Sequence, residues 1–275
     1  MRSQAFYPGG KAQAGVYQKI INQIPPHEVY IEAFLGAGAI LRAKRPARRS
    51  IGIDRDPAVL IQWSNYSIDG LITHCTDAIE FLSRYQWQGN EVVYADPPYV
   101  RSTRSYQRDL YRFEMDDGDH ARLLDVLKLL PIPVLISGYW SSLYAEALAG
   151  WRALTFNAVK RSGEVAEEWL WCNFPEPVEL HDYRYLGEDF RQRERIKRKT
   201  ERWRRRLDRM PLLERRALML AISGDGGPHR QNGRGRPVSP DLTVAARAGT
   251  AENDEAPASA ETAMLAAIVR SDEEV

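Results

Sequence analysis

The segment YIEAFLGAG, residues 30–38, decides the fold. A short apolar run leads into a turn with glycine at positions 36 and 38, and a helix-favouring segment follows it. Glycines at alternate positions let a ligand approach the backbone, and the start of a helix carries N–H groups with no intrahelical partner. Taken alone, the same residues equally describe a plain strand-to-helix turn, because two spaced glycines are a weak signal.

The same pattern continues on both sides. Residues 29–34, 50–54, 91–95 and 133–137 read as strands, and a further short strand precedes Asp77. Residues 12–24, 37–45, 57–68, 77–85, 119–130 and 141–148 read as helices. Strand–helix alternation calls for an α/β fold with a mostly parallel sheet covered on both faces. Residues 151–159 and 167–174 follow one another with a short connection and read as a hairpin, an antiparallel pair at one edge of that sheet.

The chain has 275 residues, 44% of them hydrophobic, enough for one ordinary α/β domain with extensions. A net charge of +1 hides an uneven distribution: residues 191–216 are crowded with arginine, and the stretch after 251 is mostly acidic. Cys75 and Cys172 are the two cysteines, and no Cys/His cluster has zinc spacing, so neither a disulfide framework nor a metal site is expected. No apolar run reaches membrane-span length, and MRSQAFYPGGK at the start lacks the apolar stretch of a signal peptide. The expectation is a soluble, cytoplasmic, monomeric protein with reduced thiols.

Beyond residue 177 the chain turns polar and basic. Ile196, Trp203, Leu207 and Met210 fall on one helical stripe, and Arg191, Arg195, Arg198, Arg202, Arg205 and Arg209 form a cationic stripe beside it. Pro211 ends this helix, and a second is expected over 212–222. From 224 onward the sequence is rich first in Gly, Pro and Arg and then in Ala, Glu and Asp, a composition expected to be disordered. The organisation read from the sequence is therefore 1–182, 183–223 as a basic helical extension, and 224–275 as a tail.

Three carboxylates stand at strand ends. Asp54 closes IGID, where in nucleotide-binding sheets an acidic residue accepts hydrogen bonds from ribose hydroxyls. Asp56 is the better placed of the two to cap the helix that begins at Pro57, which leaves Asp54 for a ligand. Asp77 reads equally as a ligand group and as a helix cap. Asp96 opens DPPY at the end of VVYA, residues 92–95. Pro97 and Pro98 fix two successive φ angles and remove two donors. Asp96 offers acceptors, and Tyr99 offers a flat face with little rotamer freedom to lose. Together they make a slot for a planar base that carries an amino group.

These segments resemble the DNA adenine-N6 methyltransferases of the deoxyadenosine methylase (Dam) type, including versions carried by phages and prophages. The resemblance rests on YPGGK (7–11), YIEAFLGAGAIL (30–41), IGIDRDP (51–57), ADPPYV (95–100), ISGYWSSLY (136–144) and EEWLWCNF (167–174), in that family's order. It implies a Rossmann-like methyltransferase sheet and S-adenosylmethionine as cofactor. It implies Tyr7, Lys11, Phe34, Gly36, Gly38, Asp54 and Asp77 around that cofactor, and Asp96, Pro97, Pro98 and Tyr99 as the catalytic loop, with Asp96 touching both. The substrate implied is double-stranded DNA with its adenine flipped out of the stack. RNA adenine-N6 methylation and a non-catalytic DNA-binding protein on the same fold are the alternatives. Asp77 and Asp96 stand only 19 positions apart, which leaves no room for the recognition insert of the bacterial Dam type. Specificity is therefore expected to be low or to come from elsewhere. The candidates for nucleic-acid contact are Arg101 and Arg104, directly after the catalytic loop, and Arg195, Arg198, Arg202 and Arg205 on the basic helix, a phosphate-binding reading weighed against a solvated face balanced by Glu194, Glu201 and Asp208.

Overall fold

The computed structural model describes residues 11–13, 15–104, 111–159 and 165–223. They build a seven-stranded sheet of β1 (Val29–Ala33), β2 (Arg49–Asp54), β3 (Leu71–Cys75), β4 (Glu91–Ala95), β5 (Val134–Gly138), β6 (Arg152–Val159) and β7 (Val165–Cys172). The strand order is β3-β2-β1-β4-β5-β7-β6. The first five strands are parallel; β7 runs antiparallel to β5 and pairs with β6 as the expected edge hairpin. The connection of that hairpin, residues 160–164, lies outside the described residues, as does the tail from 224.

Side chains alternate across the sheet with the period of two that a strand imposes. Ile31, Ala33, Val93, Ala95, Val134 and Ile136 pack on the side of α4 (Ala78–Arg84), α5 (Asp117–Leu129) and α6 (Ser142–Ala147). Tyr30, Val92, Tyr94 and Leu135 pack on the other side, against α1 (Val16–Ile21), α2 (Ala39–Ala43) and α3 (Pro57–Trp63). The sheet is thus covered on both faces, and β4 and β5 are buried along their whole length, as a central parallel strand requires.

Three helices are shorter than their sequence pattern. The first starts at Val16 rather than residue 12, because Gly15 turns the chain at φ 98°. α2 starts at Ala39, because Gly38 sits in the left-handed region at φ 56°. α3 stops at Trp63, where the side chains of Ser64 and Asn65 hydrogen-bond back to the Ile61 carbonyl.

The chain clusters into two compact units, Met1–Arg215 and Arg216–Val275. The sheet and the long basic helix α7 (Phe190–Asp208) belong to the first. Asp189 caps α7 by accepting from the Gln192 amide, and none of its residues is buried. A further helix, α8 (Leu212–Ser223), begins after Pro211, at the residue where the sequence places it. No helix among the described residues is long and apolar enough to cross a membrane. Cys75 is exposed, Cys172 is buried, and both are free thiols. No group of three metal-ligating side chains occurs among the described residues.

Candidate active site

The site is set by the pairing of β1 with β4, which ends level, Ala33 opposite Ala95. The next residue on each strand begins a functional loop: Phe34 opens the glycine turn and Asp96 opens DPPY. The two loops are joined at their root by the Asp96 amide, which donates to the Ala33 carbonyl at 3.4 Å. On either side of this point the crossovers leave in opposite directions, to β2 and to β5, and such a switch point opens a crevice at the strand ends.

The glycine turn is wound tightly. Phe34 has φ 63°, an uncommon conformation for an aromatic residue, and Gly36 and Gly38 follow at 44° and 56°. Trp63 of α3 locks the turn from below. Its indole N–H donates to the Gly36 carbonyl at 2.8 Å, and a Cβ on Gly38 would come within 2.1 Å of its ring. Asp54 braces the turn from β2: one carboxylate oxygen accepts from the Gly36 amide at 2.8 Å and the other from the Asp56 amide at 2.8 Å. Burial pushes the Asp54 carboxyl above its ordinary value. Asp56 caps α3 through the Ala58 amide, as expected.

Asp77 caps a helix and also faces a cleft. It caps α4 by accepting from the Ile79 and Glu80 amides, and it lines a cleft with Phe34, Ile53, Asp54, Ile79 and Asp96. An adjoining cleft is lined by Lys11, Glu32, Gly36, Gly38 and Tyr99. Phe34 and Asp96 face both. Glu32, which the sequence reading passed over, lies buried at the turn and accepts from Tyr30 Oη at 2.9 Å and the Leu41 amide at 2.8 Å. Its place one residue before the end of the glycine strand was the available signal. Burial raises its carboxyl to about 7.

The DPPY loop carries a denser network than the sequence suggested. Lys11 Nζ donates to both Asp96 oxygens, at 2.7 and 2.8 Å, and to Tyr99 Oη at 2.6 Å. Burial disfavours this ammonium, but the Asp96 and Glu168 carboxylates outweigh it and hold Lys11 above its ordinary value. The resemblance assigned Lys11 to the cofactor; the structure adds that its charge sits on the Asp96 carboxylate. Ser137 of β5 donates to Asp96 Oδ1 at 2.8 Å, and Tyr99 Oη donates to Glu168 Oε2 of β7 at 3.1 Å. Tyr139 stands edge-on to the Tyr99 ring at 4.6 Å, and Trp140 beside it is more than half exposed. Ser137, Tyr139 and Glu168 lie inside the ISGYWSSLY and EEWLWCNF segments, but nothing in their spacing disclosed a role. They reach Asp96 and Tyr99 only because β5 and β7 pair beside β4.

Arg104, read as a nucleic-acid contact, has its side chain turned into the protein. Its guanidinium donates to both Glu114 oxygens, at 2.8 and 2.7 Å, and its Nε donates to the Tyr99 carbonyl at 2.6 Å. Three of its five N–H donors are thus directed into the protein. Arg101 is exposed in a 3₁₀ turn, Arg101–Thr103. Tyr7 and residues 105–110 lie outside the described residues. On α7, Arg195, Arg198, Arg202 and Arg205 are all exposed. That helix carries ten cationic and three acidic side chains, a surplus of seven. Its apolar stripe is only partly covered, with Trp203 exposed.

Residues 53–161 match the family model of the D12 class N6 adenine-specific DNA methyltransferases. The D12 match bears out the Dam-type resemblance. It runs from the end of β2 through the DPPY loop into the hairpin, and leaves out Lys11, the glycine turn, Glu168 and α7. No curated protein matches the chain. Among solved structures the chain is similar to the 23S rRNA methyltransferase ErmE, at 15% identity over 81% of this chain and 91% of that one, with a TM-score of 0.40. It is also similar to a dimethyladenosine transferase from Plasmodium falciparum, at 14% identity over 57% and 59%, TM-score 0.37. An rRNA methylase from Streptococcus thermophilus gives 12% identity over 57% and 92%, TM-score 0.36. The strand order is that of a Rossmann-like methyltransferase fold, and the part of it from residue 53 to 161 is similar to the adenine-N6 family.

Proposed function

We propose that the protein transfers a methyl group from S-adenosylmethionine to N6 of an adenine flipped out of double-stranded DNA. The observation that carries this reading is the level ending of β1 and β4, which sets the glycine turn and the Asp96-Pro97-Pro98-Tyr99 loop side by side.

The residues present fit the cofactor. The clefts combine an apolar wall of Phe34, Ile53 and Ile79 with the Asp54, Asp77 and Glu32 carboxylates, acceptors suited to hydroxyl and ammonium groups. When bound, S-adenosylmethionine supplies an electrophilic methyl group on a positively charged sulfur. The chain does the rest. The amino nitrogen of adenine is a poor nucleophile because its lone pair is delocalised into the ring. Asp96 and the Pro97 carbonyl accept its two N–H groups, which favours a tetrahedral nitrogen and localises that lone pair. Ser137 and Lys11 fix the orientation of the Asp96 carboxylate from behind. The two prolines hold the carbonyl on one path, and Tyr99, anchored through its hydroxyl, gives the base a surface to stack on. Most of the rate then comes from alignment.

DNA is the polymer that the family match favours and that exposed arginines at helical spacing suit, since phosphate contacts supply most of non-specific affinity. The test is transfer of labelled methyl to double-stranded DNA, single-stranded DNA and RNA in parallel. Label on N6 of adenine in duplex DNA supports the reading; label on RNA alone, or on another atom, refutes it.

A further inference from the structure

The Lys11–Asp96 pair is complete by itself, yet the fold buries another carboxylate against it. Glu168 lies on β7 opposite Phe156 of β6, and is buried. Its Oε2 accepts from Tyr99 Oη at 3.1 Å and stands 3.6 Å from Lys11 Nζ. Two carboxylates and one ammonium leave this cluster with an excess negative charge. Among the described residues, the other groups that bear on it are the buried Glu32 carboxyl, which interacts with Asp96, and the phenols of Tyr30, Tyr94, Tyr99, Tyr111, Tyr139 and Tyr144, which burial raises and keeps neutral. A buried excess charge is costly unless something compensates it. The cleft lined by Lys11, Asp96 and Tyr99 is where a compensating cation would come.

We propose that Glu168 is a positioning residue that restores negative charge to the catalytic slot after Lys11 has neutralised Asp96, and so makes the adjoining cleft prefer a cationic sulfur to a neutral one. The inference rests on the proposed function, and it explains why a fold with one orienting carboxylate keeps a second. Holding Tyr99 in place needs only an acceptor, which glutamine also provides; preferring a sulfonium needs the charge. Burial raises the Glu168 carboxyl, with Asp96 adding to the effect and Lys11 opposing it, so the preference is pH-dependent.

The experiment is calorimetric binding of S-adenosylmethionine and of its neutral thioether product, S-adenosylhomocysteine, to the full chain and to Glu168→Gln and Glu168→Asp. For the wild type, the ratio of the two affinities should favour the sulfonium at pH 8 and fall as the pH is lowered and Glu168 takes up a proton. In Glu168→Gln that ratio should drop by about fivefold or more and lose its pH dependence, with the thioether bound as in wild type. Glu168→Asp should restore part of it. Turnover of Glu168→Gln should fall with KM for DNA unchanged. A wild-type ratio flat from pH 8 to 5, or a folded Glu168→Gln with the wild-type ratio, overturns the proposal. A charge-dependent ratio in a protein that methylates RNA alone refutes the DNA reading and leaves the role of Glu168 standing; a wild type that binds neither compound removes both.

Discussion

Arg104 and Glu114 meet as a buried bidentate pair across the segment 105–110, and the same guanidinium reaches back to the Tyr99 carbonyl. The pair therefore ties the end of the DPPY loop to the residues that precede α5. Removing one partner leaves a buried charge uncompensated. Glu114→Ala should cost about 3–5 kcal/mol of stability, measured by denaturant unfolding. The cycle with Arg104→Ala should return a coupling above roughly 1 kcal/mol. Independent, additive losses would show that the two side chains do not act together. Turnover of Glu114→Ala, assayed well below its melting temperature, should also drop, since Tyr99 loses a backbone anchor.

Asp96→Asn keeps the shape of the orienting side chain and replaces an acceptor with a donor. Methyl transfer should fall roughly a hundredfold or more, while affinity for the neutral thioether S-adenosylhomocysteine stays within a few fold. Retention of more than a few per cent of wild-type turnover would disprove the role given to Asp96. Asp54→Ala should do the reverse, weakening cofactor binding more than turnover. Its effect should be large, because the Gly36 amide loses its acceptor along with the ligand.

Neutralising Arg198, Arg202 and Arg205 together should weaken binding to all DNA sequences alike. If all three contact phosphates, the slope of log affinity against log salt should shrink by about 2.7. Phosphate contacts position a protein, whereas base-edge contacts specify. With no recognition insert between Asp77 and Asp96, the methylated site should be very short or loosely defined. A methylation map showing a strict site of four or more base pairs would contradict this. A triple mutant with altered choice of adenines would make α7 a base reader.

His27 and His181 stack at 3.9 Å between ring centroids, and Nε2 of His27 is buried without a partner. Burial lowers His27 to about 2, with His181 and Lys44 adding to the effect, and lowers His181 to about 4. Both groups prefer to be neutral when folded. Their stabilisation is complete above the ordinary histidine value of 6.5 and is lost as the pH falls below it. His27 alone should account for roughly 1–2 kcal/mol between pH 7.5 and 5. His27→Phe should flatten this acid limb in thermal unfolding; an unchanged limb would locate it elsewhere. Because His181 donates its amide to the Ile24 carbonyl, this limb also reports on how the segment leading to α7 is held.

The sheet was legible because its signal is local. The strand ends at Asp54 and Ala95 fall where the sequence places them, since a carboxylate or a proline stands there, and that of β1 falls one residue earlier than read, at Ala33. Asp96 and Asp54 could be named for the same reason. Glu168 and Ser137 could not, because their partners are 69 and 41 residues away and only strand pairing unites them. The partner of Arg104 was hidden in the same way: beside the DPPY loop the sequence shows an arginine, and only the fold brings back onto it a carboxylate ten residues later. The helix starts at Val16 and Ala39 were missed because backbone angles at Gly15 and Gly38, not side-chain periodicity, decide them.

The level ending of β1 and β4 also limits how such an enzyme can diversify. A strand that slips by one residue turns every side chain to the other face. A single insertion in β1 would send Glu32 to the opposite helical layer and carry Phe34 away from Asp96, and one in β4 would misplace Asp96 while leaving the cofactor turn intact. Neither strand can drift without undoing the other's work. Variation in which adenines are chosen is left to parts that hang beyond the strand ends, where chain can be added or lost without moving the chemistry.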